Sequence, residues 1–208
     1  MTELFTIGYS SHSIESFIMI LREYGIEAVA DVRSIPYSQY KPNFNREVLQ
    51  GHLERANMSY VFLGNSCGVR IDDPDCYADG KVDYDLVAKH PDFIEGLRRI
   101  RDGVKKYKIV LMCAEQDPLN CHRFVLICRN LRFDDVFIQH ILANGEIEDH
   151  MESEKRLVQS SKGNQLDLFM DESDMLEEAY ATQARKIAFK DEQEKSTSAD
   201  RDTEHGRD

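Results

Sequence analysis

The sequence predicts an α/β fold in which a mostly parallel sheet is flanked by helices on both faces, as in a Rossmann-like three-layer sandwich. The first 64 residues alternate short apolar runs with helical repeats in the order βαβαβ, and this alternation favours parallel strands joined by helices. Ile109–Met112 is a continuous apolar run, typical of a strand buried on both faces of a parallel sheet. The 208 residues suffice for one core and a polar extension.

The first part of the chain contains three predicted strands and two predicted helices, identified from apolar runs and from helical spacing. A serine before the first helix, Ser11 or Ser13, is suited to cap it, and Gly25 is suited to end it. The predicted elements are strands at Leu4–Ile7, Glu27–Val32 and Tyr60–Leu63 and helices at Ile14–Leu21 and Val48–Leu53.

The second part begins with residues 65–85, which show no clear period and are predicted to form a long loop near the site. A helix is predicted over Pro91–Tyr107, because Pro91 is favourable at a helix start and apolar residues follow on one stripe. After the strand at Ile109–Met112, a helix is predicted to begin near Asn120, and Val136–Leu142 is the last predicted strand.

Composition and charge exclude several classes of protein. The formal net charge is −12, so we expect no strong direct binding of nucleic acid by the chain as a whole, although local basic patches remain open. Five cysteines without a CxxC pair favour neither a disulfide framework nor a zinc ribbon and are typical of the reducing cytoplasm. No stretch approaches the roughly 20 apolar residues of a membrane span, so we expect neither export nor a membrane anchor.

The main candidate site follows the apolar run Ile109–Met112. Cys113 and Glu115 come just past the carboxyl end of this predicted strand, while Cys121, His122 and Arg123 fall in the first turn of the next predicted helix. Ligands of open α/β sheets bind outside the carboxyl ends of strands, so we expect these side chains to face one crevice. The alternative for both thiols is burial as small apolar side chains, which is also our interpretation of Cys128.

A second candidate segment follows the predicted strand Glu27–Val32. An arginine such as Arg33 at the carboxyl end of a strand is well shaped to hold a phosphate or carboxylate. The alternative is an ion pair between Asp31 and Arg33, and Ser34 and Ser38 are also common as turn residues. Cys67 and Cys76 lie nine residues apart, which matches no familiar zinc spacing.

The chain divides into a domain over residues 1–150 and an acidic, polar tail over residues 151–208, whose net charge of −6 is half of the total. The tail contains a segment at 174–189 with the pattern of an amphipathic helix, and its end from Asp191 is expected to be disordered. Residues 165–169, QLDLF, resemble the bacterial sliding-clamp-binding pentapeptide. The clamp contacts would come from Gln165, Leu166, Leu168 and Phe169; the alternative is that these side chains pack on the domain.

Three groups of residues together resemble the family called domain of unknown function 488. They are Thr6–Ser10, Asp31–Arg33 with Pro36 and Ser38, and Cys113–Glu115 with Cys121–Arg123, and the resemblance covers roughly residues 4–145. It implies a compact α/β domain with a polar cluster, and it departs at Gln39–Lys41, where an arginine is expected soon after Ser38. The implied cluster consists of Ser10, Asp31, Arg33, Cys113, Glu115, Cys121, His122 and Arg123.

Three functions are compatible with these residues. The first is an enzyme that acts on a nucleotide or nucleic-acid component, in which Arg33 and Arg123 hold an anionic group. Cys113 would be its nucleophile, and Glu115 or His122 its general acid or base. The second is an iron or zinc site with Cys113, Cys121 and His122 as ligands and Glu115 or His140 completing the set; against it, neighbouring residues of a helix point about 100° apart. The third is a non-catalytic adaptor that binds nucleotide and the clamp.

Overall fold

A computed structural model describes residues 2–132, 135–161 and 170–190 of the chain. Within this part, the strands in chain order are β1 (Thr2–Gly8), β2 (Ala28–Asp31), β3 (Ser59–Phe62), β4 (Tyr77–Ala78), β5 (Lys81–Val82), β6 (Ile109–Cys113), β7 (Val136–Ile141) and β8 (Ile147–Asp149). The α-helices are α1 (Ile14–Glu23), α2 (Arg46–Arg55), α3 (Gly64–Cys67), α4 (Tyr84–Val87), α5 (Pro91–Val104), α6 (Arg129–Leu131), α7 (His150–Ser161) and α8 (Glu172–Ile187).

Six of these strands form one sheet in the order β3-β2-β6-β1-β7-β8, while β4 and β5 pair with each other in a separate hairpin. All neighbours in the large sheet run parallel except β7 and β8, which are antiparallel. Helices cover both faces, so the fold class predicted from the sequence is confirmed. The ends of β1, β2 and β6 lie side by side, because Gly8 is in register with Cys113 and Asp31 with Met112.

Each face of the sheet carries its own apolar cluster, because alternate strand residues point to opposite faces. On the first face, Val29, Val110 and Met112 pack against the buried sides of α1 and α2. On the second face, Ala30, Leu111 and Cys113 pack against α5 and the segment that follows Cys121. The site described below lies where the carboxyl ends of the central strands meet these two clusters.

Local signals in the sequence explain the first helix. The side chain of Ser13 accepts a hydrogen bond from the backbone of Ser16, which satisfies a free N–H at the start of α1. Gly25 follows the helix with a φ of 65°, a left-handed conformation that costs glycine little. Of the two serines considered as caps, Ser13 is the cap.

Two expectations about local structure are corrected. Residues 65–85 are not one irregular loop, because they contain most of α3, a 3-10 turn at Pro74–Cys76, the β4–β5 hairpin and the start of α4. The helix expected from Asn120 is also different: Pro118–Asn120 is a 3-10 turn, and Arg123–Cys128 is a π-helix that leads into α6. Periodicity does not identify elements of two to four residues, and the helical spacing after Cys121 does not distinguish a π-helix from an α-helix.

The chain beyond residue 150 contributes α7 and α8 to the folded unit. Leu157 and Tyr180 are each no more than 1 % exposed and belong to the apolar cluster on the second face of the sheet. The amphipathic helix expected over 174–189 is observed as α8, which begins and ends two residues earlier. The clamp-like residues Gln165, Leu166, Leu168 and Phe169, and the end from Asp191, lie outside the described residues.

No helix in the described ranges is long and apolar enough to cross a membrane.

Candidate metal centre

The candidate site lies at the carboxyl end of β6, between the ends of β2 and β1. Cys113 is the last residue of β6, and the chain then turns through Glu115 and returns to the sheet edge at Cys121 and His122. Both thiols and the imidazole are buried, whereas Glu115 is exposed as a residue and directs its carboxylate inward. The structure thus brings together four of the side chains expected from the sequence.

The four donor atoms converge on one point. Oε2 of Glu115 lies 2.9 Å from the Sγ of Cys113 and 3.0 Å from the Sγ of Cys121. Nδ1 of His122 lies 3.7 Å and 3.8 Å from the same two sulfurs. All four atoms are within 4.8 Å of one another. Among the described residues this set is the most complete group of buried soft donors.

The distances fit a tetrahedral metal ion with one adjustable ligand. Zinc–sulfur and zinc–nitrogen bonds of about 2.3 and 2.0 Å place sulfur and nitrogen about 3.5 Å apart in a tetrahedron, close to the separations of His122 from the two thiols. The contacts of Glu115 with the thiols are shorter and are hydrogen bonds. The carboxylate would therefore have to move outward by about half an ångström to become a ligand.

The orientation of the His122 ring is fixed by the backbone just after strand β2. Its Nε2 lies 3.0 Å from the carbonyl oxygen of Val32, an acceptor that requires a proton on Nε2. In the neutral ring, Nδ1 then presents its lone pair to the thiols. Metal-binding histidines commonly use this arrangement, in which a backbone carbonyl fixes the tautomer and the ring orientation.

The backbone of Cys121 removes the objection to adjacent ligands. Cys121 is extended, with φ −134° and ψ 142°, because it follows the 3-10 turn at Pro118–Asn120 that Asp117 caps. The argument that Cys121 and His122 point about 100° apart holds only within a helix and is wrong here. The expectation that Cys121 lies in the first turn of a helix is wrong for the same reason.

Arg123 supports the loop that carries Glu115. Its guanidinium is fully buried and donates to the carbonyl oxygens of Glu115 at 2.6 Å and Gln116 at 3.2 Å, and to the hydroxyl of Thr6 at 3.3 Å. Gly8 packs against the same loop, and an added Cβ would lie 1.8 Å from the Glu115 carbonyl oxygen. We expected Arg123 to bind an anion, but its contacts point to a positioning role.

The two thiols differ in acidity. The hydrogen bond to Cys121, together with burial, raises the pKa of Cys113 well above its ordinary value. Burial acts to raise the pKa of Cys121 as well, but the bond from Cys113 and the positive charges of Arg123 and His122 outweigh it, so that pKa is well below its ordinary value. The cluster is therefore predisposed to hold a thiolate at Cys121.

The other two members respond to the same burial and charge. Burial acts to lower the pKa of His122, but the neighbouring Cys121 and Glu115 outweigh burial and raise it. Burial, and then the charge of Cys121, raises the pKa of Glu115. These shifts describe the cluster without a bound cation.

An open cavity of about 770 Å³ borders the cluster on the side of Glu115. Its floor includes Asp117 and Glu148, whose carboxylates both accept hydrogen bonds from the guanidinium of Arg156. The thiols and His122 are absent from this lining, which contains Glu115. Of the four residues of the cluster, Glu115 is the one that lines this cavity.

Asp31 and Arg33 form a second cluster beside the thiols. The guanidinium of Arg33 binds the Asp31 carboxylate through Nε at 2.8 Å and Nη2 at 2.6 Å, and both residues are buried. Tyr60 donates a further hydrogen bond to the carboxylate at 2.7 Å, and Arg33 lies over the ring of Tyr9. Tyr9 belongs to the apolar cluster of the first face, whereas the thiols belong to the second, so the two polar clusters lie on opposite faces of one sheet edge.

The expected serines and His140 do not join the thiol cluster. Ser10 is exposed, and the Ser38 hydroxyl accepts a hydrogen bond from the backbone of Lys41 within its own loop. His140 points into the second face, where Thr6 and His150 engage its two ring nitrogens. Both of its ring nitrogens are engaged there, and His140 is not a member of the group of four convergent donors.

The comparison with known families gives one result. The sequence matches the family described as "Domain of unknown function DUF488" over residues 13–129. The chain belongs to the DUF488 family. No curated protein and no solved structure gave a significant match. The matched range of this DUF488 domain contains Cys113, Glu115, Cys121 and His122.

A second group of metal-type side chains in the DUF488 domain has a structural explanation. Asp73, Cys76 and His90 lie close together. His90, however, caps α5: its Nδ1 accepts the N–H of Asp92, so Nε2 carries the proton and faces Asp73 at 3.3 Å. A protonated nitrogen cannot bind a metal, and the ring is already used as a helix cap.

Sequence reasoning missed several residues of the DUF488 site. Tyr9 and Tyr60 support Arg33 and Asp31, and Gly8 allows the close approach of the Glu115 loop. The signal for Gly8 was its position at the end of a strand beside a cluster of polar residues, where glycine often marks close backbone approach. His12, discussed below, gave no signal in the sequence.

Proposed function

We propose that this protein is a zinc-dependent hydrolase. The observation that carries the proposal is the convergence of two buried thiols and a buried imidazole with the carboxylate of Glu115, a residue that lines an open cavity. Structural zinc sites are usually closed by four ligands, whereas catalytic sites keep a position for water or substrate. A site with a movable fourth group at the cavity wall belongs to the second class.

The residues have separate roles in this proposal. Cys113, Cys121 and His122 are the permanent ligands, and the bond from His122 to the Val32 carbonyl orients the ring. The chemistry that zinc supplies in such sites is the activation of water near neutral pH. Glu115 is suited to accept the proton from that water, because its carboxylate lies beside both thiols and the residue lines the open cavity.

Metal content is the first test. We expect one zinc per chain by elemental analysis of the reduced, freshly purified protein, and we expect Cys113→Ala and Cys121→Ala to lose it. Cys128→Ala is the matched control, since Cys128 is also a buried free thiol but lies outside the cluster. Loss of zinc in the control to the same extent would contradict the assignment of the ligands. One iron per chain instead of zinc would identify iron as the metal of this site.

Catalysis is tested at Glu115. We expect Glu115→Gln to retain zinc while it loses at least 100-fold in the hydrolysis of p-nitrophenyl esters or of mononucleotides, because general base catalysis contributes about 10²–10⁴-fold. If the unmodified protein binds zinc but hydrolyses neither class of substrate, the metal site is structural and the proposed hydrolase activity is refuted.

Thiol catalysis is the second candidate function. It is favoured by the backbone N–H of Arg123, which lies 3.5 Å from the Sγ of Cys121, and by the imidazole of His122 at 3.8 Å. In this case Cys121, rather than Cys113, is the better nucleophile. A metal-free protein in which Cys121 reacts with iodoacetamide faster than free cysteine near pH 7 would favour it.

We also propose that residues 165–169 recruit the protein to the bacterial sliding clamp, in a DNA repair or processing role in the cytoplasm. The support is the sequence QLDLF. Leu168→Ala together with Phe169→Ala should abolish capture by immobilised clamp without changing the melting temperature. A fall in melting temperature would instead indicate that these side chains pack on the domain. If the protein binds nucleotide and the clamp but catalyses no reaction, it is the non-catalytic adaptor.

A further inference from the structure

Two buried nitrogen atoms on the loops that follow β1 and β2 have no hydrogen-bond partner among the described residues. They are Nη1 of Arg33 and Nε2 of His12, and both residues are only 5 % exposed. Most buried polar side-chain atoms in folded proteins are hydrogen-bonded, so each exception needs an explanation such as a bound ion or ligand. Arg33 is not short of charge compensation, because Nε and Nη2 already bind Asp31.

The two atoms belong to neighbouring loops that also carry Lys41. Nζ of Lys41 donates to the carbonyl oxygen of His12 at 3.1 Å. The N–H of His12 in turn donates to the carbonyl of Tyr9, over whose ring the Arg33 guanidinium lies. Among the described residues, Lys41 has no carboxylate partner. The loops after β1 and β2 therefore assemble three basic side chains at one end of the sheet.

The same loop exposes an aromatic ring. Tyr40, next to Lys41, is 94 % exposed, the most exposed of the large apolar and aromatic side chains in the described ranges. Tyr37 is also exposed, but its hydroxyl is bound to Glu47 at 2.8 Å. An unused ring beside basic groups is the combination with which proteins bind nucleotides, since bases stack on aromatic rings and phosphates pair with cations.

We propose that the loops after β1 and β2 form a nucleotide-binding site, in which His12, Arg33 and Lys41 hold a phosphate and Tyr40 stacks on the base. The site uses none of the four proposed zinc ligands. Nucleotide binding at this site does not depend on the proposed hydrolase activity. A role as the substrate site of the hydrolase rests on the proposed function. The net charge of −12 opposes binding along a long polyanion but does not oppose a local site for one nucleotide.

Binding is tested with the full chain, with adenosine 5′-monophosphate and inorganic phosphate as separate probes in titration calorimetry. We expect Tyr40→Ala to weaken binding of the nucleotide about tenfold and to leave phosphate unchanged, because stacking involves only the base. Lys41→Gln should weaken both probes about tenfold. Tyr107→Ala and Lys108→Gln are matched controls, since they alter an exposed tyrosine and the adjoining lysine at the opposite end of β6.

A second measurement keeps the proposal independent of folding and of the metal. The NMR signal of the His12 imidazole should shift when either probe is added, in the unmodified protein and in Cys113→Ala alike. Equal effects of Tyr40→Ala and Tyr107→Ala, or a His12 signal that neither probe moves, would overturn the proposal. If the unmodified protein contains no zinc but still binds the nucleotide, this binding site is upheld while the proposed zinc hydrolase is refuted. A single-stranded oligonucleotide that binds more tightly than the mononucleotide would identify a strand as the source of the nucleotide.

Discussion

Acidification below about pH 6.5 should destabilise the fold through two buried histidines. His140 on β7 donates to or accepts from Thr6 at 2.8 Å and meets His150, at the start of α7, at 3.0 Å. His150 contacts the Tyr180 hydroxyl at 3.2 Å. Burial lowers the pKa of His140 well below 6.5 and that of His150 to about 3. The folded state thus keeps both rings neutral where the unfolded chain protonates them.

The magnitude follows from proton linkage. A histidine with a depressed folded pKa contributes stability that is present above its unfolded pKa and is lost as the pH falls below it. With an unfolded pKa of 6.5, each ring shifts the unfolding equilibrium about tenfold toward the unfolded state between pH 7.5 and 5.5, and the pair lowers the free energy of unfolding by about 3 kcal/mol. His122 opposes this loss, because its raised pKa favours the folded state as it becomes protonated.

The assay is urea unfolding at a series of pH values for the unmodified protein and for His140→Asn. The variant will be less stable at every pH, but between pH 7.5 and 5.5 its unfolding equilibrium constant should rise about tenfold less than that of the unmodified protein. His52→Asn, on the partly exposed helix α2, is the control and should follow the unmodified curve. Parallel curves for His140→Asn and the unmodified protein would refute the reasoning.

Three other predictions concern the sheet edge. Gly8→Ala should lower the free energy of unfolding by about 3 kcal/mol, at the upper end for overpacking, and should displace the Glu115 loop. An unchanged urea unfolding curve would contradict the close contact. Asp31→Asn should cost about 3–5 kcal/mol, because Arg33 is left buried without its counter-charge; a loss below 1 kcal/mol would indicate that water or an anion reaches it. Removal of zinc by a chelator should lower the unfolding free energy by about 4 kcal/mol relative to protein in free zinc at 1,000 times its Kd, and an unchanged melting curve would argue against a bound metal.

The fold class was predictable because the dominant signals are periodic. Ile109–Met112 is apolar without interruption and forms the centre of β6, and the α5 helix begins at Pro91 as expected. Elements that depend on three-dimensional contacts were not predictable from periodicity. β8 is short and joins the sheet antiparallel, at its edge, where little apolar surface is needed.

The membership of the site was largely predictable, but the roles within it were not. Cys113 and His122 stand beside an expected strand end, so their proximity followed from topology. The role of Arg123 depended on acceptors supplied by the backbone of another loop, and carbonyl groups carry no sequence signal. The extended backbone of Cys121 arises from the 3-10 turn before it, which the helical spacing of later residues concealed.

The central position of β1 has a consequence for synthesis. In the part of the chain that the structure describes, this strand pairs with β6 and β7, which begin about 100 residues or more after it, at Ile109 and Val136. At about 5–20 residues per second, its apolar side chains wait roughly 5–30 s for these neighbours. Such long sequence separations also slow folding. The nascent chain should therefore depend on chaperones more than a domain whose strands pair with their neighbours along the chain.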